Sequence, residues 1–115
     1  MVLAATAQQD AVQSLGCKWA GEIFADRAYN DDATLVDRSK PGAVIHDAAL
    51  AGARMVKMVK AGAILTEGGK TSPAAIDTIC LLGDTPEAVD IARSVKSALQ
   101  KAGIALKCFE GRVGA

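Results

Sequence analysis

Two clusters of polar side chains in this sequence are of types that bind anions or move protons. The first is Asp26 and Arg27, with Tyr29 and Asn30 just after them. The planar guanidinium of Arg27 is suited to holding a carboxylate or a phosphate. Asp26 is suited either to orienting Arg27 or to accepting a proton. On spacing alone, the favoured interpretation is an ion pair between the two that pins the following loop, because ion pairs are often purely structural.

The second cluster is Gly83-Asp84-Thr85, between an apolar run and a predicted helix. The start of a helix offers free N–H groups and the positive end of a dipole, which suit an anion. The simpler interpretation is a capped turn, in which Gly83 makes the bend and Asp84 or Thr85 caps the helix. Without other information the capped turn is preferred.

Two further motifs carry weaker signals. Gly69-Lys70-Thr71 matches the end of a phosphate-binding loop, but the full pattern needs a glycine where Ile64 stands. Pro73 also follows it too closely for a helix, so an exposed hairpin is preferred. His46 is the only histidine, and the sequence identifies no partner for it. A loop face with Arg38, Ser39 and Lys40 could contact an anion, but a solvated loop is the simpler interpretation.

The elements that position these residues alternate between strands and helices. Strands are predicted at residues 2–5, 17–25, 78–82 and 104–109, with a hairpin at 63–66 and 70–72. Helices are predicted at 7–15, at Ala48–Ala61 and from Pro86, with Pro86 at the first position of the last helix, Thr85 as its cap and Gly103 at its end. Asp47 is the expected cap of the second helix, whose buried stripe is Ala48, Ala51, Met55, Met58 and Val59, and whose outer face is Arg54, Lys57 and Lys60.

This order predicts one α/β domain over residues 1–115, with a parallel sheet and helical crossovers. In such folds, binding sites gather beyond the carboxyl ends of the strands, where both polar clusters fall. A sheet of about four strands has open edges. The chain is therefore expected to self-associate or to complete its sheet with another polypeptide, and a small closed domain is the alternative.

Composition excludes several classes of protein. The 115 residues carry 13 basic and 13 acidic side chains and only four aromatic ones, which argues against nucleic-acid binding. The apolar runs are too short to span a membrane, and the N-terminus has no basic flank typical of a signal peptide. The three cysteines are far apart, so we expect free thiols in a cytoplasmic protein and no zinc site.

Four segments of mixed polar and apolar residues are distinctive: residues 22–29 read EIFADRAY, 34–39 read TLVDRS, 41–47 read PGAVIHD and 77–86 read DTICLLGDTP. They resemble the LamB/YcsF family, the A subunit of ATP-dependent 5-oxoprolinase. The resemblance implies part of a (β/α) barrel of the glycoside hydrolase/deacetylase type. It also implies hydrolysis of 5-oxo-L-proline to L-glutamate with ATP, together with subunits B and C. No ATP site is identified in this chain.

The resemblance also implies site residues. Asp26, Arg27 and Asp84 match positions with catalytic roles, and Tyr29, Arg38, Ser39 and Gly83 match substrate-binding positions. Arg27 is expected to bind the substrate carboxylate, and Asp84 to orient a water or a neighbouring donor.

Two departures from the family bear on activity. The chain resembles only the C-terminal part of the family, and Leu82 stands where the family usually has a histidine. These departures favour the alternative of a non-catalytic binding or oligomerisation module, a folded homo-oligomer that binds a partner subunit or a small carboxylate.

Overall fold

The computed structural model describes residues 1–83 and 85–112. In chain order its elements are β1 (Val2–Leu3), α1 (Ala7–Ser14), β2 (Gly21–Phe24), α2 (Ala48–Ala61), β3 (Ala63–Leu65), β4 (Thr71–Pro73), β5 (Thr78–Cys80) and α3 (Ala88–Lys101).

The central sheet is parallel. Its strands lie in the order β1-β2-β5, with Glu22 opposite Thr78 and Phe24 opposite Cys80. Helix α1 connects β1 to β2, and α2 with the β3-β4 hairpin connects β2 to β5. The predicted α/β architecture, a parallel sheet with helical crossovers, is confirmed. Because the strands are parallel, their carboxyl ends share one edge of the sheet.

The hydrophobic core lies between the sheet and the α2–α3 pair. Its fully buried members include Ile23 from β2, Met55 and Met58 from α2, and Ile91 from α3. The two helices approach closely at Gly52, where a methyl group would lie 2.8 Å from Oγ of Ser94. The absence of a side chain at this position lets the helices pack face to face.

Helix α2 has the bounds and the caps that the sequence predicts. Oδ1 of Asp47 accepts a hydrogen bond from the Leu50 N–H at 3.1 Å, which satisfies one of the free donors of the first turn. Gly62 ends the helix in the left-handed conformation, with φ of 60°. The predicted hairpin is also confirmed, since β3 and β4 pair antiparallel around Gly68 and Gly69.

The predicted strand at 104–109 is wrong. Residues 104–110 form no strand, and Leu106 and Phe109 are about half exposed. The chain passes beside β5 without pairing and instead bonds through Arg112, whose backbone exchanges hydrogen bonds with Trp19. The Arg112 side chain lies over the Trp19 ring and binds Asp77. These contacts of Arg112 hold the end of the segment at the amino ends of the strands.

Other predicted boundaries need correction. Helix α3 begins after Glu87, and neither Thr85 nor Pro86 holds the predicted cap or first position. The Ala88 N–H donates to the Thr85 carbonyl, so residues 85–87 form a turn ahead of the helix. The strand predicted at 17–25 is limited to Gly21–Phe24, because the backbone of Trp19 pairs instead with Arg112 in an isolated antiparallel bridge.

Over residues 1–83 and 85–112, no helix is long and apolar enough to cross a membrane. The same residues contain no group of three or more His, Cys, Asp or Glu side chains placed to hold a metal ion.

Candidate functional site

The candidate site lies at the carboxyl edge of the parallel sheet. Asp26 follows β2 by two residues, and Leu82 follows β5 by two residues. The Leu82 N–H donates to Oδ2 of Asp26 at 3.2 Å, so the ends of the two strands are joined directly. Helices α2 and α3 both begin after these strand ends, as in other parallel α/β folds whose sites lie at this edge.

Asp26 is the most deeply buried polar residue of this edge, with 1% of its surface exposed. Its backbone carbonyl accepts a hydrogen bond from the Ile45 N–H at 2.9 Å, and its Oδ2 is taken by Leu82. Its Oδ1 has no hydrogen-bond partner among the described residues. A buried carboxyl oxygen without a partner is unfavourable in a resting fold, and such an atom calls for an explanation.

Arg27 is also buried, with 8% of its surface exposed, but its contacts differ from those of Asp26. Its Nη2 donates to the Val36 carbonyl at 2.8 Å. Its backbone pairs with Val44 in an isolated antiparallel bridge. The ion pair between Asp26 and Arg27 that the sequence interpretation favoured is wrong, since Oδ1 of Asp26 has no hydrogen-bond partner among the described residues and Nη2 of Arg27 binds a carbonyl of the loop after β2 instead. Its Nε is buried and has no hydrogen-bond partner among the described residues.

Tyr29 lies in the hydrophobic core with no exposed surface. Its hydroxyl oxygen accepts a hydrogen bond from the Phe24 N–H at 2.9 Å. Burial raises the pKa of Tyr29 to about 12, because the charged phenolate is poorly solvated there. The structure thus places this predicted substrate-binding residue behind the end of β2, where it supports the strand.

The other predicted site residues lie in exposed turns. Ser39 donates from both its backbone N–H and its hydroxyl to Oδ1 of Asp37, and these bonds lower the Asp37 pKa. Arg38 is exposed in the same turn. Gly83 has φ of 72° and directly follows Leu82, so it lies next to Asp26. Asp84, predicted as catalytic, lies outside the described residues.

Arg54 is a residue of this edge that the sequence interpretation missed. The helical spacing predicts it on the outer face of α2, but its guanidinium is turned inward. Nη1 donates to the Ala25 carbonyl and Nη2 to the Arg27 carbonyl, each at 3.1 Å. The signal is present in the spacing, since position 54 lies three residues after Ala51 and four before Met58, both buried.

His46 also has a partner that the sequence did not reveal. Its Nδ1 lies 3.2 Å from Oε2 of Glu87, the residue before α3. The contact lowers the pKa of Glu87, chiefly through the hydrogen bond from the imidazole. Both side chains are exposed, and they join the starts of α2 and α3 at the carboxyl edge of the sheet.

Comparison with known proteins agrees with this architecture. The sequence profile described as "LamB/YcsF family" matches residues 1–113. The chain belongs to the LamB/YcsF family. A protein from Ruegeria pomeroyi, named as the A subunit of 5-oxoprolinase, is 66% identical over 110 residues, and one of the same name from Rhodopseudomonas palustris strain BisB18 is 52% identical over 111 residues. Each alignment covers 96% of this chain and 44% of the relative.

A solved structure gives the same result for the fold. The crystal structure of the lactam utilization protein from Thermus thermophilus superposes with a TM-score of 0.81 at 32% identity. The match covers 94% of this chain and 42% of that protein. This LamB/YcsF chain therefore spans less than half the length of these relatives, which is consistent with a partial barrel.

Proposed function

We propose that this chain is part of a 5-oxoprolinase A subunit, acting in the cytoplasm with subunits B and C. The reaction hydrolyses the lactam of 5-oxo-L-proline to L-glutamate and is coupled to ATP cleavage. In the hydrolysis the lactam C–N bond breaks, water supplies a hydroxyl to the carbonyl carbon, and the ring nitrogen gains a proton. The observation that carries the proposal is the buried, unpartnered Oδ1 of Asp26 at the carboxyl edge of a LamB/YcsF sheet.

The free donors and acceptors of the site suit a small lactam that carries a carboxylate. In this proposal, Oδ1 of Asp26 accepts a hydrogen bond from the lactam N–H or a proton from the attacking water, and its lack of a partner in the fold supports that role. Nε of Arg27 supplies a charged donor for the substrate carboxylate. Asp84 orients the water in this proposal, and Arg38, Ser39 and Gly83 line the approach to the site.

ATP is not assigned to residues of this chain. Gly69-Lys70-Thr71 forms the turn and first residue of β4 in an antiparallel hairpin, not a loop that leads into a helix. The Lys70 ammonium lies 3.8 Å from Oδ2 of Asp31, and both side chains are exposed. This arrangement does not fit a phosphate-binding loop. In the proposal, the rest of the assembly supplies the nucleotide site.

The test is glutamate release from 5-oxoproline and ATP by the purified chain, alone and with subunits B and C. Arg27→Ala and Asp26→Asn are expected to reduce turnover by at least about 100-fold. Asp10→Asn, which changes an exposed carboxyl on α1, is the matched control and is expected to leave turnover unchanged. Absence of glutamate release from a folded sample with B and C present would refute the enzymatic role.

A second candidate function, an oligomerisation module, is favoured by one observation. An open groove of about 420 Å³ runs along β5, between that strand, α3 and residues 104–107. Its apolar lining includes Ile79, Leu81, Val95, Leu99, Ile104 and Leu106. At the opposite edge of the sheet, the side chain of Gln8 accepts the Leu3 N–H and so covers β1. The Leu3 N–H is thus occupied at one edge of the sheet, whereas β5 at the other edge faces the groove.

In this candidate function, a second copy of the chain covers the groove. Sedimentation equilibrium would then show a discrete dimer, and Ile79→Lys would convert it to a monomer because a charge would be buried at the new contact. Val2→Lys on the covered edge is the matched control and would leave the dimer intact. A monomer at all concentrations would exclude this function.

A further inference from the structure

Arg54 makes an unusual pair of contacts for a helix side chain. Its two terminal nitrogens bind the carbonyls of Ala25 and Arg27, both at 3.1 Å. These carbonyls belong to the residues on either side of Asp26. A single guanidinium from α2 therefore holds the backbone immediately before and immediately after the candidate catalytic carboxyl.

Arg54 is half-buried, and its hydrogen bonds to the Ala25 and Arg27 carbonyls are partly shielded from water. Burial lowers the pKa of Arg54, and the carboxylate of Glu67 offsets the effect only in part. Desolvating a guanidinium is unfavourable unless its donors are satisfied. The planar fork matches two carbonyls at once, whereas a lysine ammonium on a flexible stem acts as a point charge.

Two further hydrogen bonds restrain the backbone and the carboxyl group of Asp26. Ile45 donates its N–H to the Asp26 carbonyl, and Leu82 donates its N–H to Oδ2. These two bonds fix the peptide and one carboxyl oxygen, while Arg54 fixes the peptides that flank them. The direction of Oδ1 is then set by the fold before any ligand arrives, which is the preorganisation that a reacting group requires.

We propose that Arg54 is a positioning residue, which sets the orientation of the Asp26 carboxyl without itself touching substrate. Its catalytic consequence rests on the function proposed above. The alternative role for Arg54 is a purely structural tie between α2 and the end of β2. The two roles differ in what a conservative substitution changes, because a structural tie would affect the whole fold and a positioning contact would affect Asp26 selectively.

Amide hydrogen exchange distinguishes the two roles without an activity assay. The Leu82 N–H reports on the carboxyl through its bond to Oδ2, and the Asp77 N–H, bonded to the Gly21 carbonyl at the other end of the β2–β5 pair, is the internal reference. In Arg54→Lys and Arg54→Gln, Leu82 is expected to exchange at least about tenfold faster relative to Asp77. Arg93→Gln, on the exposed face of α3, is the matched control and is expected to leave the ratio unchanged.

Equal acceleration at Leu82 and Asp77 would make Arg54 a structural tie and overturn the proposal, as would no acceleration at either amide. With subunits B and C, Arg54→Lys is expected to lower kcat by about tenfold or more and to change KM by less than about twofold. If the wild-type assembly releases no glutamate, the proposed function fails. The exchange ratio still decides whether Arg54 positions Asp26.

Discussion

Leu82 and Asp26 are joined by one hydrogen bond, from the Leu82 N–H to Oδ2 of Asp26 over 3.2 Å, and this bond links the carboxyl ends of β5 and β2. The fold thus uses one oxygen of a buried carboxyl and leaves the other, Oδ1, without a partner in the described part of the chain. The unsatisfied Oδ1 is unfavourable for the stability of the fold, whereas in the proposed function it accepts a hydrogen bond from the substrate. The two effects can be measured separately.

Asp26→Asn is expected to separate stability from function. The amide keeps the shape and an oxygen for the Leu82 N–H, and it replaces the unsatisfied Oδ1 with an amide nitrogen, so one unsatisfied polar group is exchanged for another. We expect the free energy of unfolding to stay within about 1 kcal/mol of wild type, or to rise, while turnover falls as proposed above. Urea unfolding measures the first quantity. A loss of several kcal/mol would show that Oδ1 has a stabilising partner and would contradict this account.

We expect the burial of Tyr29 to make the fold less stable at alkaline pH. Burial raises its folded-state pKa from 10.0 to about 12, so the folded state holds its proton more tightly than the unfolded state does. The contribution is fully present below pH 10, and it is lost as pH rises towards 12, because only the unfolded state ionises in that interval. The total loss is up to about 3 kcal/mol. Unfolding measured from pH 9 to pH 12 tests this expectation.

The control for that prediction is Tyr29→Phe, which should lack this component of the pH dependence and should be less stable below pH 10, because the Phe24 N–H loses its acceptor. Tyr29 is the only tyrosine in the chain, so the ultraviolet absorbance of tyrosinate reports its ionisation alone. Titration of that absorbance near pH 10 in the folded protein would show that the hydroxyl is hydrated and would refute the expectation.

Asp77 is expected to matter for stability and not for the carboxyl edge of the sheet. Its side chain is 4% exposed, its Oδ2 accepts the Gly21 N–H, and both its oxygens bind Arg112. Asp77→Ala leaves the Gly21 donor and the Arg112 guanidinium without this partner. We expect the free energy of unfolding to fall by about 2–4 kcal/mol, measured by urea unfolding.

Arg112→Gln is the comparison for Asp77→Ala. It removes the ion pair and the contact with the Trp19 ring but leaves the bond between Gly21 and Asp77. Because Arg112 is about half exposed, its loss is expected to cost about 1 kcal/mol. Equal losses in the two variants would mean that the bond to Gly21 contributes nothing.

Local sequence signals predicted the parts of this fold that are set by neighbours along the chain. Helix α2 has its predicted bounds because Asp47, Gly62 and the apolar spacing all act within the helix. The prediction of a strand at 104–109 was wrong because residues far apart in the sequence determine the path of this segment. The apolar residues of this segment are typical of a strand. Its path, however, depends on the ion pair between Arg112 and Asp77, which are 35 residues apart in the sequence. No local pattern reveals such a pair.

The same distinction applies to the candidate site. The position of Asp26 at a strand end followed from the sequence, and so did the deduction that a parallel sheet gathers its sites there. The sequence did not predict the hydrogen-bond partners of these side chains. Arg27 bonds to the Val36 carbonyl, nine residues away, and His46 bonds to Glu87, 41 residues away. Charge and spacing indicated which residues were polar, and tertiary packing determined which atoms remained available.

His46 and Glu87 give the final prediction. The hydrogen bond from the imidazole holds the Glu87 pKa below its ordinary value of 4.5. His46→Ala is therefore expected to raise the Glu87 pKa towards 4.5, as measured by NMR titration of its side-chain carboxyl. A carboxyl with a lowered folded-state pKa stabilises the fold above its unfolded pKa, and the stabilisation is lost as pH falls through the folded value. The variant should lose this component of acid sensitivity, and high salt should weaken it in the wild type because both groups are exposed.

Asp37 provides the matched control for Glu87. Its pKa is also lowered, but by Ser39 in a different turn, so His46→Ala should leave it unchanged. A Glu87 pKa that is the same in the variant and the wild type would mean that the imidazole does not hold this carboxyl in solution. A rise at Glu87 alone would show that the starts of α2 and α3 are joined by this pair, and that the only imidazole of the chain is oriented at the edge of the sheet where Asp26 lies.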